Sequence, residues 1–300
     1  MGDGMGRQLA GRLIGMGMLL AGPLAVADTF QGLQVEVIGQ GRQVLMVPGL
    51  NSGIESWRDT CLALQDVPLQ CHLVQLPGFA GQPAQAEVQA DFVAAIEQRL
   101  TDYIDQRMAP APVLAGHSLG GFFALKLAAA RPDKVAAVIV VDSLPFFPAA
   151  ANPAATVESS RPMADAMRQQ MLSLDEAAYR QQSVMALNGM SKGEERNALL
   201  RQWSADSDRQ TTAAAMHALM TTDLRPQLAQ VTPPVLVLGA WEAYGQYGAT
   251  QASTEAIFQA QYAGLPDKRI AMAGHGYHFL MWDAQAWLQG EIRQFLIAHP

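Results

Sequence analysis

The chain has 300 residues, half of them hydrophobic and only 16% charged, with a formal net charge of −7. That length and balance allow one large domain with an insertion, or two small domains, and they exclude long disorder. There are 20 Lys and Arg against 27 Asp and Glu, with no basic run, so no nucleic-acid partner is expected.

The N-terminus reads as a targeting segment. Arg7 and Arg12 accompany an apolar, Gly-rich stretch from Leu13 to Leu24 that is too short to span a bilayer comfortably. Ala25-Val26-Ala27 has the form of a cleavage site, so residues 1–27 are expected to be a signal peptide and the mature chain to start at Asp28. An uncut N-terminal anchor is the competing reading. No cysteine follows the apolar stretch, which argues against lipidation. The expected product is periplasmic or secreted, with no stable membrane anchor after cleavage.

Leu33 to Ile38 alternates as a strand, and Gln43 to Val47 is the continuous apolar run of a buried one. Pro48-Gly49-Leu50-Asn51-Ser52-Gly53 then forms a loop, and residues 54–66 a helix with Trp57 on its core face. His72 to Leu76 is the next strand. Cys61 and Cys71 stand near the end of that helix and the start of that strand. Either they form one disulfide, which an oxidising compartment favours, or they are two small buried residues. Ala90 to Arg107 is an amphipathic helix with Phe92, Val93, Ile96, Leu100 and Ile104 on its apolar face.

The most informative stretch follows. Val113-Leu114-Ala115 is a strand, Gly116-His117-Ser118-Leu119-Gly120-Gly121 a sharp turn, and Leu119 to Ala130 a helix. A serine on a strained strand-to-helix turn needs neighbours without bulk two residues away on each side, which Gly116 and Gly120 supply. Its hydroxyl then stands at a helix N-terminus, where negative charge is favoured. The alternative is a serine that only caps the helix.

Val135 to Val141 is an apolar strand ending at Asp142. From 146 to 227 no strand pattern appears; helices are expected around 161–172, 175–188, 193–204 and 208–221. Met163, Met167, Met171, Met185, Met190, Met216 and Met220 fall in this stretch, most of them as packing between its helices. Pro234 to Gly239 and Lys268 to Ala273 are the last strands, with helices at Thr254 to Tyr262 and Ala284 to Ala298. Strands alternating with helices predict a parallel sheet.

With the elbow, the strand order and the histidine stretch Gly274-His275-Gly276-Tyr277-His278-Phe279-Leu280-Met281-Trp282-Asp283, the chain resembles the α/β-hydrolases over nearly all of its mature length. The resemblance implies an α/β fold: a mostly parallel central sheet flanked by helices, with an all-helical cap inserted after the sixth strand. The core would comprise 28–145 and 228–300, and the cap 146–227. It implies that Ser118 is a nucleophile, and that the N–H groups of Leu50 and Leu119 form the oxyanion hole. Pro48 stands where the family usually has histidine. Pro77-Gly78-Phe79-Ala80-Gly81 resembles the family's loop at the rim of the site.

A serine nucleophile needs a base, and the base needs an acid. His275 and His278 are both candidates, and register favours His278, with Asp283 five residues on. The acid is Asp142, at the end of the apolar strand, or Glu242, three residues after Gly239. Burial favours Asp142. His275 would be a rim residue. The implied activity is hydrolysis of a carboxylic ester, or a lactone or amide, of a small, largely apolar substrate, with no metal or organic cofactor. Alternatives are a non-catalytic ligand-binding protein, or a cofactor-free C–C hydrolase or haloperoxidase-like enzyme. The oligomeric state is not legible.

Overall fold

The computed structural model describes residues 1–2 and 26–300; the expected signal segment lies outside them apart from its ends. The sheet has eight strands: β1 (Val26–Phe30), β2 (Leu33–Gly39), β3 (Arg42–Val47), β4 (Leu69–Gln75), β5 (Val113–His117), β6 (Ala137–Val141), β7 (Val235–Gly239) and β8 (Lys268–Met272). Their spatial order is β1-β2-β4-β3-β5-β6-β7-β8. β1, β2 and β4 pair antiparallel; every pairing from β4 through β3 to β8 is parallel. β1 is an addition to the expected strands. Its Val26 and Ala27 pair with Val37 and Glu36, so cleavage before Asp28 would shorten β1 at its start.

The apolar runs occur because the sheet is covered on both faces. Along β3, Leu45 and Val47 face one core while Val44 and Met46 face the other. The first core is closed by α3 (Phe92–Arg107), α4 (Leu119–Ala130) and α9 (Gln251–Gln261), with Ile96, Leu100, Phe122, Leu125 and Phe258. The second is closed by α1 (Glu55–Ala63) and α11 (Gln285–Ala298), with Trp57, Leu288, Ile292 and Phe295. Trp57 is fully buried and donates Nε1–H to Val47 O at 3.0 Å. Cys61 of α1 and Cys71 of β4 are joined by a disulfide with Cα atoms 6.2 Å apart. A short helix, α2 (Ala86–Ala90), precedes α3, and another, α10 (Leu280–Asp283), precedes α11.

Between β6 and β7 the chain is helical: α5 (Val157–Ser173), α6 (Glu176–Ala186), α7 (Glu194–Ala205) and α8 (Arg209–Thr221). Side-chain caps start three of them: Thr156 for α5, Asp175 for α6 and Asp208 for α8. The methionines here are less buried than packing alone predicts. Met220 is buried, but Met163 and Met185 are 66% and 60% exposed. They lie on α5 and α6, which leave much of their surface to solvent.

Candidate active site

The carboxyl ends of the parallel strands bring the candidate residues to one edge of the sheet. Ser118 follows β5 at φ 52° and ψ −117°, a backbone conformation that a side chain adopts at a cost of about 1–3 kcal/mol. Neighbouring strands and the helix hold it there: Ser118 N–H donates to Val141 O at 2.9 Å, and Phe122 N–H to Ser118 O at 3.1 Å. The flanking glycines are sterically required. A Cβ on Gly116 would run into Gly120 O, and one on Gly120 into Val47 O. A Cβ on Gly121 would lie 2.6 Å from Ser143 Cβ.

His117 pairs with Val141 across β5 and β6, so Ser118 and Asp142 leave the sheet at the same level. Asp142 has φ 44°, and its N–H donates to Leu238 O at 2.7 Å. Its side chain is 9% exposed. Oδ1 accepts from Ala240 N–H at 2.8 Å, and Oδ2 accepts from His278 Nδ1–H at 2.6 Å. The second bond places the imidazole proton on Nδ1 and leaves Nε2 as a bare acceptor, the tautomer a general base requires.

Glu242, the alternative acid, is placed elsewhere. It accepts from Lys192 Nζ at 2.7 and 2.8 Å and from Gly276 N–H at 2.7 Å. The Lys192 ammonium, then the Gly276 N–H, lower its pKa. The reason is the 3₁₀ turn of Glu242–Tyr247, which carries the carboxylate away from β7 while Asp142 sits at the end of β6. His275 is exposed beside this pair.

Asp283 braces the histidine loop. It accepts from Tyr277 N–H at 2.9 Å, from Ser191 Oγ–H at 2.8 Å and from Lys192 N–H at 3.0 Å. Phe279 N–H donates to Met190 O at 3.0 Å. The segment between α6 and α7 is thus strapped onto the loop that carries His278. A second strap joins α8 to the loop after β3: Thr212 Oγ1 and the Asn51 amide are 2.8 Å apart. The contacting Asn51 atom is Oδ1, and Thr212 Oγ1 is also 2.8 Å from Asp208 O, so the hydroxyl proton is shared between these two acceptors. A third ties the 77–83 loop to the α7–α8 turn, through Gly81 N–H to Asp206 O and Ala80 N–H to Ser207 Oγ.

Leu50 follows β3 directly beyond Gly49, and a Cβ on Gly49 would lie 3.3 Å from Ser118 Cβ. Among the described residues, neither Leu50 N–H nor Leu119 N–H has a protein acceptor. Two free N–H groups beside one serine suit a developing oxyanion. Gln75, buried in β4, fixes the same loop: its Oε1 accepts from Ile54 N–H, and its Nε2 donates to Ser52 O and Phe79 O.

His117 was not legible as a site residue, because neighbours on a sharp turn are expected to point apart. Its ring lies 4.4 Å from that of His278, and its Nε2 is 3.1 Å from His278 O. The remaining histidines serve packing: His72 meets Tyr103 Oη, His217 meets Asp165, and His299 meets Phe295 O. Among the described residues no group of three His, Cys, Asp or Glu could hold a metal ion. Among them, too, no helix is long and apolar enough to cross a membrane.

The sequence model of the Alpha/beta hydrolase family matches residues 44–288. The pimeloyl-[acyl-carrier protein] methyl ester esterase of Nitrosomonas europaea is 26% identical over 264 residues, covering 84% of this chain and 96% of its own. That of Vibrio atlanticus is 28% identical over 210 residues, covering 67% and 76%. An esterase from Exiguobacterium antarcticum superposes with a TM-score of 0.71 at 17% identity, over 89% of this chain and 97% of its own. The enol-lactonase of Burkholderia xenovorans gives 0.64 at 16%, over 91% and 100%. At such identities these two structures share the fold.

Proposed function

The chain belongs to the alpha/beta hydrolase family, and from that premise we propose that it is an exported serine hydrolase that cleaves carboxylic esters of small, largely apolar substrates. The single observation that carries this reading is the hydrogen bond from His278 to Asp142, formed beside a strained serine elbow. Ser118 Oγ attacks the ester carbonyl carbon while His278 Nε2 takes the hydroxyl proton. Leu50 and Leu119 N–H groups hold the oxyanion. The C–O bond to the alcohol breaks as His278 returns the proton to the leaving oxygen. Water, deprotonated by the same nitrogen, then releases the acid from Ser118.

The curated relatives named above act on a methyl ester, which supports the reaction class. Their acyl group is bound to a carrier protein; for this chain we infer a free small ester instead. Residues 146–227 carry eight Lys and Arg and nine Asp and Glu, a net charge of only −1, so the segment as a whole offers little net attraction to a strongly charged protein partner. Export is supported by the N-terminal pattern and by the Cys61–Cys71 disulfide, a bond that persists in oxidising compartments.

The test is labelling of the purified protein with a fluorophosphonate, followed by peptide mass spectrometry. The expected result is one adduct, on Ser118, lost in His278→Ala. No adduct under conditions that label a control hydrolase would refute an activated serine, and ligand binding without turnover would become the leading reading.

A further inference from the structure

His117 closes β5 and is wholly buried. Its ring is held between two others, with centroids 4.4 Å from His278 and 4.6 Å from Phe279. The Phe279 ring in turn stacks on Trp282 at 4.5 Å. The partner of His117 Nε2 is a carbonyl, which can only accept, so Nε2 carries the ring's proton and donates to His278 O at 3.1 Å. Nδ1 is therefore a bare lone pair. Among the described residues it has no hydrogen-bond partner, and it faces Gly49, where a Cβ would lie 3.0 Å from it.

A buried acceptor without a partner destabilises the fold, and an apolar side chain of similar size would avoid that cost. Packing alone therefore does not explain a histidine here. What the imidazole supplies, and an apolar residue cannot, is the Nε2–H bond to the His278 peptide. The histidine loop is tied through its N–H groups at Gly276, Tyr277 and Phe279. The bond from His117 holds the loop by the carbonyl of the catalytic candidate itself, and it comes from the residue adjoining Ser118.

We propose that His117 is a positioning residue of the hydrolytic site: its Nε2–H, bonded to His278 O, sets the imidazole of His278 relative to Ser118. Asp142 fixes the ring of His278 from one side, and His117 fixes its backbone from the other. The inference rests on the hydrolase reading. Burial, and then the neighbouring His278, push the pKa of His117 well below that of an ordinary imidazole, so it stays neutral. Of the residues around it, Gly49, Ser118, His278 and Phe279, only His278 carries a second imidazole. A neutral neighbour spares the imidazolium that His278 becomes during the reaction a like charge 4.4 Å away.

The experiment compares wild type with His117→Leu and His117→Gln, using hydrolysis of p-nitrophenyl butyrate, the rate of fluorophosphonate labelling at Ser118, and thermal melts. Leucine removes both nitrogens. Glutamine restores an N–H donor of similar reach. The expected result for His117→Leu is a kcat and a labelling rate lower by roughly ten- to a hundredfold, the scale of a small misplacement of a reacting group. Its KM should stay within about threefold, because the bond acts on His278 rather than on bound ester. Its melting temperature should be equal or higher, because the orphaned nitrogen is gone. His117→Gln should recover most of kcat. Wild-type turnover in His117→Leu overturns the inference, and so does His117→Gln as slow as His117→Leu at equal stability. If the leucine variant does not fold, His117→Phe makes the same comparison while keeping a ring against Phe279. If wild type itself fails to label Ser118, the hydrolase reading is refuted and the role of His117 falls with it.

Discussion

Replacing Asp142 by asparagine tests the arrangement most directly. The carboxylate is 9% exposed and lies 2.6 Å from His278 Nδ1. When His278 takes the serine proton, a full charge pair forms with centres about 4 Å apart. At an effective dielectric near 20 that is worth about 4 kcal/mol, and a hydrogen bond to a charged group about 1.5–3 kcal/mol by mutation. Asparagine keeps an oxygen for Ala240 N–H but turns an NH₂ toward His278 Nδ1. The imidazole proton then moves to Nε2, the nitrogen that must be bare to act as base. A loss of about 3–4 kcal/mol corresponds to a kcat lower by roughly two to three powers of ten. The control is Glu242→Gln. Its partner Lys192 is 42% exposed and Glu242 is 31% exposed, and an ion pair so open to water contributes about 0–1 kcal/mol. Its kcat should fall less than about fivefold. Both variants would be assayed on one p-nitrophenyl ester, with melts to show that each is folded. A larger loss in Glu242→Gln than in Asp142→Asn would refute the assignment of the acid and the reasoning from burial behind it.

Removing the disulfide as Cys61→Ala/Cys71→Ala should cost about 3 kcal/mol, the loop-closure value for ten residues, and lower the melting temperature by roughly 5–10 °C. Identical melts would show that the bond does not form in the native protein. His72 supplies a pH prediction. Burial lowers its pKa from 6.5 to about 4, so below pH 6.5 the unfolded chain binds a proton that the folded chain refuses. The associated stability is complete above pH 6.5 and is lost as the pH falls toward 4, by up to about 3 kcal/mol. His72→Gln, which keeps an acceptor for Tyr103, should flatten urea-denaturation stability across that interval. An unchanged slope would exclude His72 as its source.

The strands were legible in the sequence because a sheet covered on both faces leaves uninterrupted apolar runs, as in β3, β5, β6 and β7. The elbow was legible because its glycines are dictated by backbone contacts a few residues away. β1 was not, since its pairing with β2 overlaps the stretch that reads as a cleavage site. For the acid, burial favoured Asp142 over Glu242, but sequence gives register and not the direction of a turn; the 3₁₀ turn at Glu242 takes that carboxylate to Lys192 and Gly276, while Asp142 meets His278. The placing of His117 depended on a residue 161 positions away. No local pattern carries that, and the sole signal was a histidine directly before Ser118.

The three straps have an evolutionary consequence. Met190, Ser191 and Lys192 hold the histidine loop, Asp206 and Ser207 the 77–83 loop, and Thr212 the loop that bears Leu50. Among the described residues α5 and α6 make no hydrogen bond to any of these loops, and they carry exposed Met163 and Met185. The helical segment between β6 and β7 therefore divides into a half bonded directly to the loops of the candidate site and a half, α5 and α6, whose Asp165 and Glu176 bond to His217 and Arg209 of α8 instead. Sequence change at the exposed faces of α5 and α6, around Met163 and Met185, should be tolerated more readily than change at Asp165 or Glu176, which hold α8 and through it the loop that bears Leu50.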